Sequence, residues 1–162
     1  MKPKPPIIFL HGLVSSGHGF KGNLFRSIFP HALTPDFTGS LEERLTQLYP
    51  IIGDRSGWTI IGSSFGGLMA TIFATQQPDQ VRKLILLAPA LILPEFDKSS
   101  DPHIEVPTVI FHGKRDDVIP LESLRPICER VFTNLTFNVV DDDHRLHQTV
   151  QSLAWLDLVS KA

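Results

Sequence analysis

The sequence predicts an α/β protein organised around a parallel sheet. Short apolar runs alternate with helix-like segments along nearly all 162 residues. Several of those runs are continuous rather than alternating, as strands buried on both faces are. No repeat, low-complexity tract or long polar linker interrupts the pattern, so residues 1–162 read as one domain. About six parallel strands in the order 2-1-3-4-5-6 are expected, flanked by helices on both faces.

The elements follow in chain order. Ile7-Ile8-Phe9-Leu10 is an apolar run that stops at Gly12, as a buried strand would. Residues 21–29 put Leu24, Phe25, Ile28 and Phe29 on one helical face, and 31–34 is a short strand closed by Pro35. Ser40-Leu41-Glu42-Glu43 fits a capping box and opens a helix presenting Leu41, Leu45 and Leu48. Trp58-Thr59-Ile60-Ile61 is the next strand, and 65–77 is a helix stopped by Pro78. Strands at 81–88 and 106–111, a helix at 121–132, a strand at 135–140 and a helix at 146–160 complete the series.

Composition excludes several classes. With 42% hydrophobic and 20% charged residues the chain is globular, not disordered. Fifteen basic against 17 acidic residues leave a net charge of −2, without the basic surplus of a nucleic-acid binder. The longest apolar stretch, 84–93, is broken by Pro89 and is too short to cross a bilayer. Met1-Lys2-Pro3-Lys4-Pro5-Pro6 leads into only four apolar residues, which does not make a secretory signal. The single cysteine, Cys128, has no partner for an internal disulfide, and a cytoplasmic protein is expected. Oligomeric state is not set by any of these features.

Chemistry concentrates where strands end. Gly62-Ser63-Ser64-Phe65-Gly66 fits G-x-S-x-G between a strand and a helix. A serine there must sit on a turn tight enough to lift its oxygen above the sheet, and flanking glycines remove the obstruction. The helix behind would aim free N–H groups at an anion formed beside the serine. Acyl transfer also needs backbone donors for the tetrahedral oxyanion, worth about 3–4 kcal/mol each. The Phe65 N–H is one candidate. The second lies in the loop His11-Gly12-Leu13 after the first strand, with Leu13 chosen.

A serine hydroxyl needs a base, and histidine is the usual one. Of seven histidines, His144 follows the last strand and therefore shares the sheet edge of Ser64. His147, three residues on, is the alternative. A metal pair with Asp141–Asp143 lacks a third nitrogen or sulfur ligand, so no metal site is expected. Phe111-His112-Gly113-Lys114-Arg115-Asp116-Asp117 closes the penultimate strand, and a carboxylate there can orient the imidazole.

Together these residues resemble the α/β-hydrolase superfamily over almost the whole chain, in the order Ser64, Asp116, His144. The segments His11-Gly12-Leu13-x-Ser15-Ser16 with Lys21, and Leu33-x-Pro35-Asp36-Phe37, look more closely like the small YqiA-type esterases. The resemblance implies a minimal α/β-hydrolase fold and cofactor-free hydrolysis of a small-molecule carboxylic ester or acyl thioester. The superfamily pattern selects Asp116 over its neighbour Asp117 as the acid. The usual first two strands are missing, and any cap is confined to about 89–105. Substrate contacts are expected from His11, Gly12 and Phe37, and from Leu91, Ile92 and Phe96 in the cap. Alternatives are an acyltransferase and a binding protein that has the fold without the reaction. Gly17-His18-Gly19-Phe20-Lys21-Gly22 matches G-x-G-x-x-G, but a dinucleotide site needs that turn directly after its strand, and six residues intervene here.

Overall fold

The computed structural model describes residues 3–161. Met1, Lys2 and Ala162, which the N-terminal and single-domain readings include, lie outside the described residues. Five strands pair in parallel: β1 (Ile7–Leu10), β2 (Trp58–Ser63), β3 (Val81–Leu87), β4 (Thr108–Gly113) and β5 (Leu135–Val140). Their order across the sheet equals their order along the chain.

The expected strand at 31–34 is reduced to one parallel bridge, Leu33 against Ile8. Phe9 N–H donates to Leu33 O at 2.8 Å and Leu33 N–H donates to Ile7 O at 2.9 Å. The segment therefore lies outside β1, where the predicted order put it. Pro30 and Pro35 bracket it and carry no N–H, so the ladder extends no further.

Six helices cover the sheet: α1 (Phe20–Ile28), α2 (Leu41–Ile52), α3 (Phe65–Gln76), α4 (Leu121–Val131), α5 (His147–Ser152) and α6 (Trp155–Ser160). Strand side chains alternate between the faces, because successive residues point opposite ways. Ile8, Leu10, Ile60, Leu84 and Leu86 join a core with Leu48 of α2, Leu68 and Phe73 of α3, and Leu124 and Val131 of α4. Phe9, Ile61, Ile85 and Leu87 face the other way, toward Phe25 of α1, Val150 of α5 and Trp155 of α6. The continuous apolar runs have this cause.

The helix predicted at 146–160 is two short helices. Leu153 is extended (φ −72°, ψ 145°), and the Trp155 indole N–H donates to Val150 O at 2.7 Å, satisfying a carbonyl freed at the break. Below the break, Arg82 donates to Val159 O and Ser160 O, both at 2.8 Å, anchoring the end of α6 to β3.

Candidate active site

Parallel pairing gathers the C-terminal ends of all strands on one edge. Ser64 stands there between β2 and α3 with φ 55° and ψ −113°, a conformation that costs a non-glycine residue about 1–3 kcal/mol. Neighbouring backbone groups hold it in place. Ser64 N–H donates to Leu87 O at 2.9 Å, and Ser64 O accepts from Gly67 at 2.9 Å and Ala90 at 3.0 Å. The flanking glycines are required by contact. A Cβ on Gly66 would run into Leu10 O, and one on Gly62 would lie 2.6 Å from Gly66 O.

Two further loops converge on this turn. Arg115 N–H donates to Asp142 O at 3.1 Å, and Lys114 N–H donates to Val140 O at 2.9 Å. Gly113 lies so close to Asp142 O that a side chain there would collide. The loop after β4 is thus stapled to the loop after β5. His144 Nδ1 consequently meets Asp116 Oδ2 at 2.8 Å, and its Nε2 meets Ser64 Oγ at 3.1 Å. The three side chains form one hydrogen-bonded row.

Burial grades along the row. The Asp116 side chain is fully enclosed and that of His144 is 20% exposed. Burial would push the Asp116 carboxyl up, but hydrogen bonds from His144, Ile119 N–H and Val118 N–H, with the imidazole's charge, hold it below the ordinary carboxylate value. Asp116 Oδ1 accepts from Ile119 at 2.7 Å and Val118 at 2.9 Å. Asp117 is exposed. His147 does not compete for the serine: its ring stacks on Phe20 with centroids 4.1 Å apart.

Gly12 packs against the turn, since a Cβ placed on it would lie 3.5 Å from Ser64 Cβ. Neither the Leu13 nor the Phe65 N–H has a hydrogen-bond partner among the described residues. Both candidate oxyanion donors are therefore unspent.

Most of the side chains expected to contact substrate are buried. His11 is buried, and both ring nitrogens are used: Nδ1 donates to Gly12 O at 2.7 Å and Nε2 accepts from Phe37 N–H at 2.8 Å. Burial above all holds its pKa below the ordinary value. It ties the loop after β1 to residue 37. Phe37, Leu91 and Phe96 are buried in the core beside Phe65, with Ile92 packed against them. The segment 89–105 begins against the serine turn, where Ala90 N–H donates to Ser64 O, and its apolar side chains Leu91 and Phe96 are buried. A cavity of about 680 Å³, lined by Pro5, Phe29 and Trp58 among others, lies at the opposite edge, by the start of β1.

The glycines of 17–22 serve packing. Gly17 N–H donates to Asp36 Oδ1 at 2.8 Å, and side chains at Gly17 or Gly22 would collide with Thr34 O or Gly17 O. Among the described residues no cluster of three or more His, Cys, Asp or Glu side chains could hold a metal, and no helix is long and apolar enough to cross a membrane.

Solved structures match the whole arrangement. A protein of the α/β-hydrolase superfamily from Xanthomonas campestris superposes with a TM-score of 0.80 at 25% identity, covering 96% of this chain and 97% of its own. The fold is that of the α/β hydrolases. An esterase from Exiguobacterium antarcticum gives a TM-score of 0.80 at 17% identity over 99% of this chain and 94% of its own. A monoacylglycerol lipase from Paleococcus ferrophilus gives 0.71 at 15% identity over 97% and 96%. No family model matches the sequence, and no curated protein matches it. This α/β-hydrolase fold is small: among the described residues, five strands and two isolated parallel bridges carry the turn at Ser64 and the two loops facing it.

One feature of the site was missed from sequence. His112, which the sequence marks only as the close of a strand, lies 3.4 Å from Asp116 Oδ2. The signal was present in the spacing His112-x-x-x-Asp116, which brings the two side chains together across one tight turn.

Proposed function

We propose that this hydrolase-fold protein is a serine esterase or thioesterase acting on small acyl substrates. The unbroken row from Ser64 Oγ through His144 to Asp116 carries the reading. A strained serine backbone and the unspent N–H groups of Phe65 and Leu13 support it further.

In this reading Ser64 Oγ attacks the acyl carbon while its proton passes to His144 Nε2. Asp116 keeps the Nδ1–H tautomer in place and stabilises the imidazolium. The oxyanion accepts hydrogen bonds from the Phe65 and Leu13 N–H groups. Collapse of the tetrahedral intermediate expels the alcohol or thiol, which takes the proton back from His144. A water molecule, deprotonated by the same imidazole, then hydrolyses the acyl-enzyme. No cofactor enters these steps. A cytoplasmic setting belongs to the proposal and is supported by the lone Cys128, whose buried thiol is pushed up to about 12.

Because Leu91 and Phe96 are buried, the acyl group has shallow support, from Leu13 and the loop edges. Short acyl chains should turn over best. Turnover of p-nitrophenyl esters and acyl-CoA thioesters of graded length tests this, with labelling by a serine-reactive phosphonate. Labelling at Ser64 with turnover supports the reading. Failure of both would make the chain a binding protein on a hydrolase fold, and turnover only with an added alcohol or amine acceptor would make it an acyltransferase.

A further inference from the structure

We propose that His112 is a positioning residue for the Ser64–His144–Asp116 row, acting as a neutral hydrogen-bond donor that fixes the turn carrying Asp116; this rests on the esterase reading above. The imidazole is fully buried. Its Nε2 lies 2.7 Å from Ile119 O and 3.4 Å from Asp116 Oδ2. Both neighbours are acceptors, so Nε2 carries the proton.

Its other nitrogen, Nδ1, is buried with no partner among the described residues. A charged ring would place an N–H there with nothing to receive it. The neutral Nε2–H tautomer is the form that fits. Burial, foremost, also holds the ring's pKa below the ordinary histidine value.

The contacts close a chain. Ile119 N–H donates to Asp116 Oδ1 at 2.7 Å, while the carbonyl of Ile119 accepts from His112. His112 therefore holds the residue that holds Asp116, and its N–H also leans toward the oxygen that receives His144. A residue wanted only for volume would be apolar, because an apolar ring avoids leaving Nδ1 unpaired in the interior.

The test compares His112→Phe, which retains a ring without the donor, with His112→Gln, whose terminal amide restores an N–H near the same point. Circular dichroism checks folding, and His112→Leu replaces the phenylalanine variant if that side chain is not accommodated. Two readouts are taken: steady-state kinetics on p-nitrophenyl acetate, and the downfield proton NMR resonance of His144 Nδ1–H on Asp116, which requires no turnover. His112→Phe should lose or broaden the resonance and lower kcat about tenfold to a hundredfold with KM little changed. His112→Gln should retain the resonance and recover most of kcat.

Wild-type kcat and resonance in the folded phenylalanine variant would overturn the proposal. So would a glutamine variant no better than phenylalanine, since the donor would then not matter. If the wild type fails to turn over any ester yet the resonance responds as described, the positioning role stands and the esterase reading falls.

Discussion

The turn at 62–67 and the segment at 89–105 meet at the same sheet edge, yet their residues are chosen by different forces. Backbone contact dictates the first: Gly62 and Gly66 are where no side chain fits, and Ser64 is held at positive φ by hydrogen bonds from both sides. Removal of apolar surface from water dictates the second, which presses Leu91 and Phe96 into the core. A backbone constraint leaves a spaced motif that can be read from sequence. A burial constraint leaves only apolar residues, which look alike whether they line a cleft or fill an interior.

The largest expected effect lies in the turn. Ser64→Ala should lower kcat by about 10⁴–10⁶-fold and abolish phosphonate labelling while thermal stability hardly moves. Retained turnover would remove the serine from the chemistry. Asp116→Asn should cost about 10⁴ in kcat, because loss of the orienting carboxylate leaves the imidazole in the wrong tautomer, as it does in serine proteases. Asp117→Asn should change kcat less than about tenfold, because Asp117 is exposed and Asp116 meets the imidazole. The reverse order of losses would transfer the role to Asp117.

Both arms of the comparison can be probed by stability. Gly66→Ala forces a Cβ against the Leu10 carbonyl and should destabilise by about 3 kcal/mol or more in urea unfolding. Leu91→Ala should also destabilise, by about 2–5 kcal/mol through the cavity it leaves, but without altering acyl-length preference. A change in that preference at normal stability would return Leu91 to the substrate pocket.

The smallest effect is one of pH. His11 and His112 are neutral in the interior, with pKa values below the ordinary value of about 6.5. The unfolded chain then binds more protons as pH drops past that value, so stability is full above it and declines below it. Asp116, held below its ordinary value of 3.8, contributes stability above that value which is lost as pH falls further, through the folded-state pKa. Urea midpoints at pH 8, 6 and 4.5 should therefore fall in that order. A flat profile between 8 and 4.5 would contradict neutral, buried histidines.

Legibility followed the same division. Ser64, Asp116 and His144 could be named because each follows within four residues of a strand's end, and parallel pairing brings strand ends together. The strand count missed by one, because prolines at 30 and 35 limit a β-like segment to a single bridge. The break at Leu153 left no punctuating glycine or proline, and the carbonyl it frees is taken up by the Trp155 indole N–H, a bond no sequence pattern announces. His11 was read as a ligand contact because its loop was recognisable, while its partner at Phe37, 26 residues away, was not.

Sheet order that repeats chain order has a consequence during synthesis. Each strand leaves the ribosome next to the neighbour it will pair with, and no earlier strand has to wait for a later one to be threaded between them. The turn at Ser64 has all its backbone partners once β3 and Ala90 have been made, but His144 lies 54 residues beyond Ala90. A nascent chain can therefore form the Ser64 turn early, while the hydrogen-bonded row is completed only when the loop after β5 closes over the edge.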